Sequence, residues 1–283
     1  MDARIINVYN NEALPGKDLK SGHGESFHIT IGDMQILFDV GWKGRKLMYN
    51  AKLLGINADD IDVMVLSHGH RDHTGGLKSF LKARTVGTQM PIYAHPNALE
   101  PKMGRKWIFR IPMGLQIDPK LAERIQFKLA KKPAEVSPAL FTTGEIALKE
   151  RLEKPGIAKA VFHKVDGQWK WDPVIDDLSL VLQTKEGLIL ITGCCHAGLL
   201  NTCARALQLF NNKIKAIIGG THMLEYSEED ISHVGEILEK VYGTPELYLN
   251  HCTGKIAIEQ LRRRFGPEIV HDCHVGTELF FEI

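Results

Sequence analysis

The sequence predicts an α/β protein with two mixed β-sheets and helices on their outer faces. Three observations predict it. Short apolar runs open the chain as hairpins, strand and helix patterns alternate through its second half, and no internal repeat or low-complexity tract interrupts them.

The first strand signals cover residues 4–9, 26–31 and 34–40, the last two joined by the tight turn Gly32-Asp33. Residues 46–54 read as a short helix that Gly55 stops. A strand at 62–66 ends in a histidine-rich run, Gly75-Gly76 follows, and 77–82 has helical spacing. Residues 91–94 form a further short strand. From 97 to 171 the pattern is irregular and broken by Pro and Gly, as in an insertion. Alternation resumes with strands at 178–183 and 188–192, a hairpin turned by 184–187. A helix at 201–210 and a buried strand at 214–218 follow. Ser227 caps a helix in which Ile231, Val234, Leu238 and Val241 share one face, with Glu228, Glu229 and Asp230 favouring its first turn. Residues 246–249 are a strand, 255–265 a helix and 278–281 a closing strand. Residues 1–283 are thus expected to form a single domain with an insertion at about 97–171.

Composition narrows the function classes. The hydrophobic share of 44% and charged share of 24% are those of an ordinary soluble globular protein. No apolar run approaches the roughly 20 residues that a membrane span needs, and the N-terminus lacks a signal-peptide layout, so no membrane partner is expected. Five cysteines (194, 195, 203, 252 and 273) show no zinc-finger spacing, and reduced thiols fit a cytoplasmic setting. A net charge of +1 gives no electrostatic footprint for nucleic acid. The total hides an asymmetry: residues 97–171 carry 15 Lys/Arg against 8 Asp/Glu, together with Trp107, Trp169 and Trp171. Such a segment suits either a lid over an anionic, partly planar ligand or a solvated insertion packed down by its aromatics. The oligomeric state stays open.

The chemistry concentrates in His68-Gly69-His70-Arg71-Asp72-His73, directly after the apolar run of residues 62–66 and Ser67. A buried strand therefore delivers three imidazoles and a carboxylate to its own end. Histidines two apart on an extended segment can turn toward one metal ion, while the adjacent Asp-His pair reaches a second. Further ligands are sought at the ends of other apolar strands. His196 follows residues 188–192 in a loop that opens a helix, and His251 repeats that logic after 246–249. His222, after Gly219-Gly220, is divided between substrate contact and a structural role. Asp39, after the apolar run Ile36-Leu37-Phe38, is expected to orient a ligand rather than bind metal. Cys194 and Cys195 suit either thiolate coordination or a small buried strand end. His95 reads as a strand-end residue, and His23, His28, His163, His233, His271 and His274 as structural.

With these residues in place the chain resembles the metallo-β-lactamase superfamily. The H-x-H-x-D-H motif matches residues 68–73, and Leu37-Phe38-Asp39-Val40-Gly41 matches the family's early strand-Asp-x-Gly segment. Residues 192–198, Gly219-Gly220-x-His222, His251-Cys252-Thr253-Gly254 and 141–146 resemble, more narrowly, the 7,8-dihydropterin-6-methyl-4-(β-D-ribofuranosyl)-aminobenzene-5′-phosphate synthase subgroup. The resemblance implies an αβ/βα four-layer sandwich with metals at one edge and an inserted, lid-like segment. One departure stands out: where many relatives place a bridging Asp after a strand-Gly, Gly193 is followed here by Cys194, so Asp176 or Asp177 would have to be recruited. The family's usual histidine upstream of that Gly is also absent, and His196 is its candidate substitute.

The implied activity is a metal-dependent hydrolase acting on an ester or phosphoester of a small anionic substrate through a metal-bound hydroxide. His68, His70 and His196 would hold one divalent ion, and Asp72, His73 and His251 the other, with Asp72 also shuttling the proton. Zinc is the default for these donors, and iron or manganese is compatible. The alternative is a transferase that joins a pterin pyrophosphate to an aminobenzene-ribosyl phosphate. A third reading is a metal-binding sensor without turnover.

Overall fold

The computed structural model describes residues 2–106, 109–146, 153 and 161–283, with side chains omitted at 105, 106 and 109. Trp107 of the basic segment lies outside the described residues. The chain divides into two compact units. One comprises Met1–Lys131, Ala158–Asp176 and His274–Phe281, and the other Lys132–Ile157, Asp177–Cys273 and Glu282–Ile283.

Along the chain come strands β1 (Asp2–Tyr9), β2 (Ser26–Ile31) and β3 (Met34–Phe38), then helix α1 (Gly44–Leu53). β4 (Val63–Val65) leads into α2 (Arg71–Thr74) and α3 (Leu77–Ala83). β5 (Met90–Ala94), β6 (Lys102–Lys106), β7 (Phe109–Pro112) and β8 (Ile125–Leu129) follow. Next are β9 (Glu135–Ser137), β10 (Leu140–Thr142), β11 (Val161–Val165) and β12 (Gln168–Trp171). The remainder holds β13 (Leu180–Thr184), β14 (Gly187–Thr192), α4 (Leu199–Phe210), β15 (Ile214–Gly219) and α5 (Glu228–Lys240). It closes with β16 (Glu246–Leu249), α6 (Lys255–Phe265), β17 (Val270–Asp272) and β18 (Glu278–Glu282).

The first unit is built on a seven-stranded sheet in the order β18-β1-β2-β3-β4-β5-β8. β1 to β3 are an antiparallel meander, whereas β3, β4, β5 and β8 run parallel. Leu47 and Ala51 of α1 and Leu77, Phe80 and Leu81 of α3 bury their apolar stripe against Leu37, Met64 and Ile92. Each buried Leu or Phe among them stabilises by about 1.5–3 kcal/mol through its removal from water. The parallel register sets Phe38 opposite Val65, so the chain leaves β3 and β4 at the same sheet edge. Asp39 and the histidine motif both start there.

The second unit holds the sheet β17-β16-β15-β14-β13-β10-β9, with β14 to β17 parallel. Leu199, Leu200 and Cys203 of α4, Ile231, Val234 and Leu238 of α5, and Leu261 of α6 pack on Leu190, Ile217 and Leu247. Thr192 is in register with Gly219, and Gly219 with Leu249, so the loops bearing His196, His222 and His251 emerge from one edge. Carboxyl ends of parallel strands are where open α/β sheets place their ligands. Ser227 caps α5 in a reciprocal capping box with Asp230. Val241, counted on the buried face of that helix, sits instead at its C-cap and is 60% exposed.

The largest difference from the sequence reading is in residues 97–171, which carry seven strands rather than irregular chain. β6, β7, β11 and β12 form a separate four-stranded antiparallel sheet, β8 joins the first large sheet, and β9 and β10 the second. These described strands are only three to five residues long, too short for an alternation such as Ile-Gln-Phe-Lys-Leu in β8 to stand out from irregular chain. Trp169 and Trp171 lie on β12, 36% and 47% exposed, and are not packed down as core.

Candidate metal centre

In the first unit the motif is assembled around Asp39. This residue follows β3 with φ 58°, a left-handed conformation that turns its carboxylate back toward the end of β4. Its Oδ1 accepts the Ser67 amide at 2.7 Å, and its Oδ2 accepts the Ser67 hydroxyl at 2.6 Å and His73 Nδ1 at 2.6 Å. Ser67 Oγ, whose proton goes to Asp39, lies 2.9 Å from His68 Nδ1 and accepts from it. Both rings therefore turn Nδ1 to an orienting oxygen and leave Nε2 as the nitrogen a metal ion would take. The His68 ring lies 4.6 Å from that of His70 and 4.3 Å from that of His73, centre to centre, and all three residues are buried.

Asp72 occupies the first turn of α2, with its Oδ2 3.8 Å from His73 Nε2 and 3.2 Å from His23 Nε2. Burial opposes a charge on His73, but Asp39 and Asp72 outweigh it, and the imidazole is pushed up to about 10. A field that holds a proton so firmly also favours a metal ion. His23 was read as structural, yet it stands beside Asp72, because Gly24 lets the loop press against the Asp72 carbonyl, where any Cβ would collide. A lone exposed histidine in a Gly-rich loop offered no spacing signal for this.

In the second unit, Cys194 and His196 lie buried in the loop between β14 and α4. The His196 and His222 rings are 4.1 Å apart. Donor atoms of Cys194, His222 and Cys252 fall within 4.8 Å of one another, and Cys252 Sγ lies 3.4 Å from the Cys194 carbonyl. Burial pushes the Cys252 thiol up, but its contact with Cys194 and the nearby His251 and His222 outweigh this and bring it well below the usual thiol range. Cys195 diverges from its neighbour: it packs in the core beside α4, 3.2 Å from Thr202 Oγ1, with burial and Asp177 raising its thiol well above the ordinary value. The two adjacent cysteines, alike in sequence, thus take different surroundings in the fold.

The two aspartates considered as substitute bridges each hold a backbone amide. Asp176 Oδ2 accepts the Gly69 amide at 2.7 Å, and Asp177 Oδ2 accepts the Ala197 amide at 2.9 Å. His95 caps a short turn through Asn97, and His163 pairs with Glu100. Backbone strain collects at the strand ends: of nine non-glycine residues with positive φ among the described residues, Asp39, Cys195, His222 and His251 belong to these loops. Conformations of this kind persist where function or packing holds them. The donor set of buried imidazoles, thiols and carboxylates, with ring nitrogens already oriented, fits divalent metal ions.

Comparison with known proteins agrees with this geometry. A family model described as the metallo-beta-lactamase superfamily matches residues 24–196. The chain is 33% identical, over 92% of its length and 90% of the relative, to the 7,8-dihydropterin-6-methyl-4-(beta-D-ribofuranosyl)-aminobenzene-5′-phosphate synthase of Methanocaldococcus jannaschii. It is similar to the crystal structure of Tm1679, a metal-dependent hydrolase of the β-lactamase superfamily, with TM-score 0.78 and 28% identity over 98% of each chain. A diphosphatase from the PhnP family shares the fold alone, with TM-score 0.57 and 15% identity over 100% of this chain and 98% of the other. The chain belongs to the metallo-β-lactamase superfamily.

Proposed function

We propose that this chain is a metal-dependent hydrolase that cleaves an ester or phosphoester of a small anionic substrate. The single observation that carries the reading is the arrangement of His68 and His73, each with Nδ1 bound to an orienting oxygen and Nε2 offered as a ligand. The proposed ligands are His68, His70 and His196 for one divalent ion, zinc by default, and Asp72, His73 and His251 for a second. When bound, such ions supply Lewis acidity and bring water toward ionisation near neutral pH. Asp39 and Ser67 hold the ligating rings in one tautomer. Asp72, next to His23, is placed to pass a proton outward. His222 and Cys194 are proposed to contact substrate or to brace the ligands, and the basic segment near 97–171 to receive the anionic group. Residues 1–283 act as one domain in this reading.

Metal analysis tests it. Wild-type protein is expected to retain metal that His70→Ala lacks, and to hydrolyse generic phosphodiesters or thioesters in proportion to metal content. Equal trace metal in both proteins would overturn the reading.

A second reading rests on the 33% identity to the Methanocaldococcus jannaschii synthase. There the chain would join a dihydropterin pyrophosphate to an aminobenzene-ribosyl phosphate. Incubation with both substrates distinguishes the two: a conjugated product favours the transferase, and hydrolysed pyrophosphate alone favours the hydrolase.

A further inference from the structure

Behind the histidine motif, the first unit buries a lysine between two aspartates. Lys102 lies on β6, and its side chain has no exposure to solvent. Its Nζ is 2.8 Å from Asp172 Oδ2 and 3.1 Å from Asp176 Oδ1. All three residues come from the segment that reads as an insertion and from the stretch just after it.

Each aspartate uses its remaining capacity on the motif or on its own turn. Asp176 Oδ2 accepts the Gly69 amide at 2.7 Å. Asp172 Oδ2 lies within ion-pair range of His70 Nε2, at 3.5 Å, and its Oδ1 accepts the Val174 amide at 2.9 Å. Val174 is β-branched yet adopts φ 51°, a strained conformation that closes the turn fixing the Asp172 carboxylate. Gly69 has no room for a side chain, since a Cβ would meet Lys102 Cε at 2.8 Å and crowd the Ala98 carbonyl. Two carboxylates and one ammonium leave one net negative charge beside His70. That charge favours an imidazole made positive by a cation on its other nitrogen.

We propose that Asp172 is the positioning residue of His70, held in place by Lys102, and that Asp176 does the same for the Gly69 backbone. With Nε2–H directed at Asp172, His70 keeps its lone pair on Nδ1 and becomes a stronger donor. The residues around 102 and 172–176 then build part of the metal affinity, besides any role toward substrate. The inference rests on the proposed function only in taking His70 as a metal ligand.

Zinc-loaded full-length protein tests it directly. Long-range proton–nitrogen spectra report which His70 nitrogen carries the proton, with the His70 signals identified by their loss in His70→Ala. The expected result is a protonated Nε2 and a zinc-bound Nδ1. The opposite tautomer in wild type would overturn the proposal. Competition with a chromogenic chelator is expected to show zinc affinity falling about 10–100-fold in Asp172→Asn, with partial recovery in Asp172→Glu. Unchanged affinity in Asp172→Asn beside a zinc-deficient His70→Ala would overturn the proposal while the metal reading stands. Wild-type zinc content in His70→Ala would overturn both.

Discussion

Asp39 Oδ2 lies 2.6 Å from His73 Nδ1, and both side chains are fully buried. The same carboxylate anchors the Ser67 amide and hydroxyl, so one residue fixes the end of β4 and the tautomers of two imidazoles. Asp39→Asn preserves the shape but gives up the charge and half the acceptor capacity. Zinc affinity is expected to fall about 10–100-fold. The metal-free protein should lose about 1–3 kcal/mol in urea unfolding, from hydrogen bonds to a charged group. Wild-type zinc affinity in this variant would contradict the orienting role.

How much of this was legible beforehand depended on the range of the interactions. The helices of the second unit were clear because α5 carries both a capping residue and a 3.6-residue apolar stripe, and α6 a similar stripe up to Gly266. His68–His73 was clear because its candidate ligands are adjacent in sequence. Lys102 and Asp172 were not: they lie 70 residues apart, and a lysine in a basic stretch reads as a solvated charge. His23 was missed for the same reason, since its contact with Asp72 depends on a loop closing against α2. Cys194 and Cys195 could not be told apart because their divergence follows from the positive φ of Cys195, 59°, which no local signal marks.

His28 makes the pH dependence of stability testable away from the proposed metal ligands. It is 5% exposed on β2, and burial, opposed by Gln35 and reinforced by Arg4, lowers its pKa to about 4 from 6.5. Because the folded value is depressed, the neutral residue contributes its full stability above about pH 6.5. That contribution is lost as pH falls toward 4. The whole gap corresponds to about 3 kcal/mol. Urea unfolding at pH 7, 5.5 and 4 should show wild type losing more than His28→Gln across this window, and parallel curves would contradict the assignment.

Gly220→Ala probes how closely the metal-centre loops of the second unit approach. An added Cβ would meet the Gly193 carbonyl at 2.5 Å and Cys252 Sγ at 2.7 Å. The backbone contact cannot be relieved by a side-chain rotation, so the loops bearing Cys194 and Cys252 must move apart. A destabilisation of about 1–3 kcal/mol is expected, as for overpacking elsewhere. Thermal unfolding reads the loss, and a wild-type melting temperature would mean that the loops yield freely.

Lys102→Met separates charge pairing from packing behind the motif. Burial opposes the lysine's charge, but Asp176 and Asp172 outweigh it and hold the ammonium charged above the ordinary lysine value. A methionine of similar length leaves two carboxylates facing each other without a cation, and losing one partner of a buried pair costs about 3–5 kcal/mol. The loss at pH 7 should shrink as pH falls, because protonation of either carboxylate relieves the repulsion. It should also shrink when Asp172→Asn and Asp176→Asn are added, since that triple variant carries no charge at these three positions. Urea unfolding of the metal-free proteins at pH 7 and pH 5 measures both. Equal losses at the two pH values, without relief in the triple variant, would trace the cost to packing of the lysine stem against Gly69 instead of its charge.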